Sequence, residues 1–415
     1  MENLPCDLLT EIFVRLRAKQ VGRMRCVSKP LYALLSQPDF IKTHLNHSTR
    51  HNHFNEIVLV FDRRYTDRPF TTHPLKSPNI QVNDFIKLPA NFPFPADPYT
   101  LHRSCVLGAV NGLICIYTAV HGDGVIHVWN PSLSAIMMST PLKPPMECPK
   151  LCRFGYDPKT DDYKVVGLSY HGWLMHIVWV YSLRKNSWKS FYEKLPVNQI
   201  DFDISTLNEV CVNDHDGHVH WLYSYVGDQR YRFLGIMAFD LGAETFSQIS
   251  LPDSVSKLGD EPRSLYNERF DIALGSWAGK LCVTSRTRHG EFEMWVMNEY
   301  GVAESWVKHH NLSSQLSGIN INPIGFTLNK KFLYGVESHL PAVSSEICDQ
   351  TMDVALYDPD TTKVAHFSIH LQGNAFTKVV PYIDSLVWIA PPRKYGSMGC
   401  RKDVKLLKGS ILVSN

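Results

Sequence analysis

The chain has 415 residues, of which 44% are hydrophobic and 20% charged, so a fibrous or wholly disordered protein is excluded. With 42 Lys and Arg against 40 Asp and Glu, the net charge of +2 is too balanced for a protein that grips nucleic acid through phosphates. No apolar run has the roughly 18 residues of a membrane helix, and the first residues lack a signal-peptide pattern. We expect a soluble protein of the cytoplasm, the nucleus or both, without membrane insertion.

The first 48 residues predict a small domain of short helices. A first helix should begin at Pro5, whose fixed φ suits a first turn. A second short helix is predicted over residues 21–27, Ser28 can cap a third, and Pro38 opens a fourth short turn. The first helix has one apolar stripe, formed by Leu8, Leu9, Ile12, Phe13 and Leu16. So small a domain buries too little core alone, which predicts a partner for its spare apolar surface.

From about residue 55 the chain predicts strands, in a unit that recurs five times. Each unit contains a strand, a variable loop, and a second strand that ends in an aromatic residue and a turn. The aromatic residues are 52 to 62 positions apart: Trp129, Tyr181, Phe239, Trp295 and Tyr357. This period is typical of a kelch-like β-propeller. With residues 57–107 as a degenerate first blade and a last strand over 379–389 closing the ring, we expect about six blades; a pair of β-sandwiches is the alternative.

The five variable loops occupy the same place in each unit, so they should emerge on one face of a propeller. They are predicted at residues 118–124, 169–172, 224–231, 286–290 and 338–351. Tyrosine and arginine, which are frequent in protein interfaces, recur in them. We predict that this face binds a target protein through His121, Asp123, Tyr170, His171, Tyr225, Arg230, Tyr231, Arg286, Arg288, His289 and His339.

Three patterns could carry chemistry, but a structural interpretation is favoured for each. Residues 275–280 resemble a phosphate-binding loop but have three residues between the glycines instead of four, which favours a turn. His218 and His220 share one face of a strand without a third metal ligand. Cys148 and Cys152 lack the second pair of a zinc site. We expect no catalytic residue, no metal and no cofactor.

Two sets of motifs point to a family. The N-terminal residues resemble the plant F-box motif, with Leu4-Pro5-x-Asp7-Leu8-Leu9, Arg23-x-Arg25-Cys26-Val27-Ser28-Lys29 and Pro38-x-Phe40. The later residues resemble the F-box-associated propeller domain, with Asn111-Gly112-Leu113, Trp129-Asn130-Pro131, Phe154-Gly155-Tyr156-Asp157 and Asp162-Tyr163-Lys164-Val165-Val166. Within that family the chain looks most like the type named for constitutive expression of pathogenesis-related genes, through Ala18-Lys19, Ser28-Lys29-Pro30 and Trp295-Val296-Met297-x-Glu299-Tyr300.

The resemblance implies a non-catalytic receptor subunit of a Skp–Cullin–F-box ubiquitin ligase. An F-box at residues 1–48 would bind a Skp-type adaptor and, through it, a Cullin. A propeller at 55–392 would capture the protein to be degraded, which for this type suggests plant immunity and an immune receptor, and a basic tail would follow at 393–415. The adaptor contacts that the motif implies are Leu4, Pro5, Leu8, Leu9, Ile12, Leu16, Met24, Val27, Leu31, Leu34 and Phe40.

Two features leave questions open. Arg17, Gly22 and Leu31 depart from the F-box pattern, so adaptor affinity could be below that of typical members. The nine tryptophans could also stack on sugars, which keeps a glycan-binding F-box lectin as an alternative receptor. Because Trp129, Trp179, Trp188, Trp221 and Trp295 lie on strand patterns, we interpret these five as blade core.

Overall fold

The structure of the chain is a computed structural model. The described residues are 5–51, 57–61, 70–74, 105–120, 123–141, 151–171, 175–193, 200–201, 217–226, 232–258, 272–286, 292–312, 321–327, 330–337, 350–373 and 378–388. Helices come first and strands follow, as the sequence predicts. None of the helices in these ranges is long and apolar enough to cross a membrane.

Four helices form the N-terminal domain: α1 (Cys6–Phe13), α2 (Ala18–Met24), α3 (Lys29–Leu35) and α4 (Pro38–His51). The predicted cap of α3 is confirmed, because Ser28 Oγ accepts from the amide of Leu31 at 3.3 Å. The second helix begins three residues before the predicted start, with Gln20 Oε1 accepting from the amide of Arg17. The predicted fourth short turn is in fact a helix of 14 residues.

The helical domain has a small core of its own. Its buried members include Phe13, Val21 and Leu35. Arg25 holds α2 to α3, since its Nη2 and Nε donate to the carbonyl of Leu35 at 2.7 and 3.1 Å. Buried His44 lies 2.8 Å from the carbonyl of Leu16, to which its Nε2 donates, and burial lowers the pKa of this histidine.

The strands form antiparallel sheets in chain order. The first two are β1 (Ile57–Phe61) and β2 (Phe70–Pro74). Blade 1 contains β3 (Cys105–Val110), β4 (Leu113–Val120), β5 (Asp123–Asn130) and β6 (Ala135–Pro141). Blade 2 contains β7 (Arg153–Asp157), β8 (Asp162–His171), β9 (Met175–Ser182) and β10 (Ser187–Glu193).

The next three blades repeat this arrangement. Blade 3 contains β11 (Ile200–Asp201), β12 (His218–Val226), β13 (Arg232–Asp240), β14 (Thr245–Ile249) and β15 (Lys257–Leu258), with the short helix α5 (Asp253–Ser256) before β15. Blade 4 contains β16 (Ile272–Trp277), β17 (Lys280–Arg286), β18 (Phe292–Met297) and β19 (Trp306–Leu312). Blade 5 contains β20 (Ile321–Phe326), β21 (Phe332–Glu337), β22 (Gln350–Asp358) and β23 (Lys363–Gly373).

The described residues therefore form five blades, not about six. The remaining sheet has three described strands, in the order β2, β1 and β24 (Lys378–Pro381). The prediction that the last strand closes the ring beside the first is confirmed, because β24 pairs with β1 and contacts both β3 and β20. The predicted strand over 379–389 is too long, however: residues 382–388 leave the sheet. The kelch type remains a prediction.

The repeated turns explain why the period is visible in the sequence. In each blade the turn between the third and fourth strands contains one residue with positive φ: Ser134, Asn186, Glu244, Gly301 and Thr362. In blades 3 and 5 an aspartate closes the turn, since Asp240 Oδ1 accepts from two following amides and Asp358 Oδ1 does the same. Turn chemistry thus recurs at equivalent positions, as predicted.

Neighbouring blades share apolar cores. Four of the five aromatic anchors are almost fully buried, and Trp295 packs against the core between blades 3 and 4. Trp129 and Trp221 are also fully buried, and Trp179 and Trp188 pack against the core between blades 1 and 2. The prediction that these five tryptophans belong to the cores of the blades is confirmed.

Candidate functional site

Helix α1 has apolar residues on both of its faces. Phe13 is buried in the helical core, and Leu9 and Leu16 pack against that core. Leu8 and Ile12, one turn apart on another face, are each 51% exposed. A helix that only completed the fold would carry polar side chains on this second face. The exposed apolar residues of α1 are therefore available to a partner.

Two further apolar side chains are exposed on the same small domain. Val27, just before α3, is 67% exposed, and Tyr32 within α3 is 59% exposed. Helix α3 contacts α1, so the two helices lie side by side. We define the apolar surface as Pro5, Leu8, Ile12, Val27 and Tyr32. Sequence reasoning missed Tyr32, although its position off the inward stripe of Leu31, Leu34 and Leu35 could have indicated it.

The predicted adaptor residues separate into distinct groups. Pro5, Leu8, Ile12 and Val27 are exposed, whereas the partly buried members are Leu9, Leu16, Met24, Leu31 and Leu34. Phe40 is only 3% exposed, since it lies in the helical core with its ring 6.2 Å from that of His44. Phe40 therefore packs within the helical domain, and its contact with an adaptor remains a prediction. Leu4 lies outside the described residues.

The helical domain also has exposed basic side chains. These are Arg15 just after α1, Lys19 and Arg23 on α2, and Lys29 on α3. Arg15 lies 3.7 Å from Glu11, and an exposed pair of this kind contributes little to stability. Exposed cations beside an apolar surface favour an acidic partner and accelerate its encounter.

The five predicted loops do connect equivalent strands, the second and third of each blade, so they emerge at one end of the propeller. Their predicted bounds are too wide, because the strands extend into each of the five predicted loops, by one residue in blade 4 and by five in blade 1. In blade 1, β4 and β5 pair as far as Val120 and Asp123, so most of residues 118–124 is strand. The hairpin continues because each added residue pair adds ladder hydrogen bonds. We name this end of the propeller the loop face.

Five of the predicted target residues lie in strand ends at the loop face: Asp123, Tyr170, His171, Tyr225 and Arg286. Tyr225 packs between the rings of Tyr223 and Phe233, at 5.8 and 5.5 Å, so its ring contributes to the blade. Arg286 lies 4.9 Å from the ring centre of Phe292. His121, Arg230, Tyr231, Arg288, His289 and His339 lie outside the described residues.

The helical domain sits at the opposite end of the propeller. Leu133, in the turn between β5 and β6, packs against the helical core. Strand β5 runs from the loop face to this turn through eight residues. At about 3.3 Å per residue, the helical domain and the loop face are about 25 Å apart.

Motif residues of blade 2 join it to blade 3. Lys164 Nζ is buried 3.1 Å from Asp157 Oδ2 and also bonds the carbonyl of Leu241 in blade 3. Burial of Asp157 opposes its charge, but hydrogen bonds from Thr160 and Lys164 outweigh it and lower the pKa of this carboxyl. These charges are therefore explained by the packing of blade 2 against blade 3.

The patterns that could have carried chemistry are also structural. Residues 275–280 form the hairpin between β16 and β17, with positive φ at Ala278 and Gly279, so the predicted turn is confirmed. His220 Nε2 lies 2.8 Å from the hydroxyl of Tyr300, and His218 Nε2 lies 3.7 Å from Asp240. Within the described ranges, no group of three or more His, Cys, Asp or Glu could hold a metal ion. Cys148 lies outside those ranges.

Comparison with known families agrees with this architecture. The family model of the F-box associated beta propeller domain matches residues 58–385, and that of the F-box domain matches residues 1–43. The chain belongs to the F-box proteins with an F-box-associated β-propeller. The exposed apolar surface thus lies within the F-box, and the loop face lies within the propeller.

The similar proteins are plant F-box proteins. F-box protein CPR1 of Arabidopsis thaliana is 27% identical over 330 residues, covering 74% of this chain and 72% of CPR1. F-box/kelch-repeat protein At3g23880 of the same plant is 25% identical over 317 residues, covering 74% of this chain and 78% of that protein. The resemblance to plant F-box proteins predicted from the motifs is confirmed.

Proposed function

We propose that this F-box protein is the substrate-recognition subunit of a Skp–Cullin–F-box ubiquitin ligase. Its F-box binds a Skp-type adaptor, and through it a Cullin, while its propeller captures a protein for ubiquitylation and degradation. The observation that carries the proposal is the apolar surface: Leu8 and Ile12 are half exposed on a helix whose other face already fills the core. Hydrophobic burial is the main source of affinity in such interfaces.

The position of the loop face supports target capture there. Because the helical domain packs at the opposite end, adaptor binding at α1 and target binding at the loops do not compete for the same end of the propeller. Plant immunity is the process we propose, with an immune receptor as the first target class to examine, since the motifs resemble the constitutive-expresser type. We propose the cytoplasm, the nucleus or both as its location.

The receptor role needs no catalytic residue, and we propose that the chain has none. The lectin alternative is weakened by the burial of Trp129 and Trp221, which cannot stack on a sugar from inside a blade. Charge reversal of Arg230 and Arg288 tests the loop face, because loop substitutions of this kind usually change fold stability by less than about 0.5 kcal/mol. Captured proteins should be lost from the double variant but retained by a variant reversed at Lys185, which is exposed in the turn between β9 and β10 at the other end.

Affinity capture after proteasome inhibition tests the whole proposal. Mass spectrometry should find a Skp-type adaptor, a Cullin and at least one ubiquitylated protein with the wild-type chain. Recovery of the target in the presence of free monosaccharides supports a protein receptor, whereas competition by a sugar would favour the lectin. Absence of both adaptor and Cullin would contradict the proposal.

A further inference from the structure

Residues 382–388, here named the junction segment, connect the propeller to the helical domain. After β24 this segment crosses the turn end of blade 1 and reaches the helical core. It is separated from the F-box by more than 330 residues of sequence, and it touches both domains. Its contacts on each side show how firmly the two domains are joined.

On the propeller side, blade 1 holds the backbone of the junction segment. Asn130 Nδ2 donates to the carbonyls of Ser385 and Val387 at 3.1 and 3.0 Å. Ser132 Oγ accepts from the amide of Ser385 at 3.0 Å. Gly112 has φ +78°, and a Cβ there would overlap the Ser385 side chain, so the segment lies directly on the turn.

On the helical side, a carboxylate of the junction segment reaches α2. Asp384 Oδ2 accepts from the amide of Ala18 at 2.6 Å, and Ala18 is the first residue of that helix. An amide in the first turn has no partner within its own helix, so Asp384 supplies the one that is missing. Both Ala18 and Leu386 are fully buried in the helical core.

A hydroxyl network orients this carboxylate. Tyr382 donates to Asp384 Oδ1 at 3.1 Å, and its oxygen lies 3.0 Å from Ser132 Oγ. Since Tyr382 gives its only hydroxyl hydrogen to Asp384, Ser132 Oγ donates to Tyr382, and the hydrogen bonds connect blade 1 to α2. Burial, together with the nearby Asp384 charge, raises the pKa of Tyr382 above its usual range, which keeps the hydroxyl protonated.

We propose that the junction segment rigidly couples the F-box to the propeller, with Asp384 as a positioning residue that sets the direction in which the loop face presents a captured protein to the ligase. This role rests on the proposed function. Ubiquitin transfer requires a lysine of the captured protein to reach the end of the ligase assembly that carries the activated ubiquitin. A loose joint between the F-box and the propeller would therefore let a larger set of lysines reach that end. A fixed joint restricts the set of modified lysines, because the captured protein is held in one orientation relative to the ligase.

The coupling itself can be tested without any ligase component. Hydrogen exchange at the Ala18 amide should be on the order of 10-fold faster in Asp384→Ala, because the accepting carboxylate is gone. Asp384→Asn is the matched control: its amide oxygen can accept from Ala18 while its NH₂ donates to Tyr382, so exchange should stay near wild type. Ser132→Ala loosens the segment from the propeller side and should accelerate the same amide if Asp384→Ala fails to fold.

The positioning role is tested with a purified Skp-type adaptor and a reconstituted Cullin ligase, using the lysines of the F-box protein itself as acceptors. Adaptor affinity should stay within about twofold of wild type in Asp384→Ala, because Asp384 lies outside the apolar surface. Mass spectrometry should show ubiquitin on a larger set of lysines, and Asp384→Asn should restore the wild-type set.

Each outcome is decisive. Unchanged exchange at Ala18 in both Asp384→Ala and Ser132→Ala would overturn the coupling. Faster exchange with an unchanged set of modified lysines would overturn the positioning role. Failure of the wild-type chain to bind the adaptor would instead overturn the proposed function and with it the positioning role, while the exchange measurement would still decide the coupling.

Discussion

Replacing Leu8 and Ile12 together by alanine should weaken adaptor binding about 50-fold. Each substitution removes three carbon groups, and each side chain is 51% exposed. At about 0.8 kcal/mol for each CH₂ group buried, the exposed half of one side chain contributes about 1.2 kcal/mol to an interface. The pair therefore contributes about 2.4 kcal/mol, which corresponds to the stated change in Kd.

Isothermal titration calorimetry with a purified Skp-type adaptor measures this change directly. The matched control is Tyr192→Ala with Val307→Ala, which removes apolar side chains that are 57% and 48% exposed on outer strands of the propeller. Adaptor affinity should be unchanged in the control. Circular dichroism must show that α1 remains helical in the test variant. An affinity within twofold of wild type, with the helices intact, would refute the reasoning.

Three further predictions concern the fold. Gly22→Ala should stabilise the helical domain by about 1 kcal/mol, because α2 gains helix propensity and the new Cβ would lie 4.0 Å from Leu133, an ordinary contact; a lower denaturation midpoint would contradict this. Burial lowers the pKa of His127 to about 4, so below pH 6.5 the unfolded chain takes up a proton that the folded chain excludes. Between pH 7.5 and pH 5 this should cost about 2 kcal/mol, and His127→Gln should remove that part of the loss in thermal melts at both pH values. Lys164→Ala should destabilise the propeller by about 3–5 kcal/mol because it leaves Asp157 buried without its cation, and a loss below 1 kcal/mol in urea denaturation would contradict the joint between blades 2 and 3.

Local signals in the sequence predicted the parts of the fold that local chemistry determines. The cap at Ser28, the aromatic residue near the end of each third strand and the turn that follows it all depend on residues close together in the chain. The single apolar stripe predicted for α1 was wrong, because Leu8 and Ile12 are exposed whereas Phe13 is buried and Leu9 packs against the helical core. The cap, the aromatic residues and the turns made the F-box and the propeller visible without a structure.

The features that sequence reasoning missed depend on distant residues. Phe40 follows the family pattern of a contact residue, yet it fills the helical core beside His44. The strand predicted over residues 379–389 ends at Pro381. The backbone that follows bonds to the side chains of Asn130 and Ser132, where the prediction required a neighbouring strand. Such contacts join residues about 250 positions apart, which no periodicity indicates.

The most direct test of the account is the fate of captured proteins in cells. Protein abundance and ubiquitylation should be measured by quantitative mass spectrometry in cells that express either the wild-type chain or the Leu8→Ala, Ile12→Ala variant at equal levels. We expect the proteins that both chains bind to be ubiquitylated and short-lived in cells with the wild type. The same proteins should be bound but stable with the variant, which keeps the loop face and loses the adaptor. Bound proteins with equal half-lives in the two cell lines would contradict the role of this F-box protein as a ligase receptor.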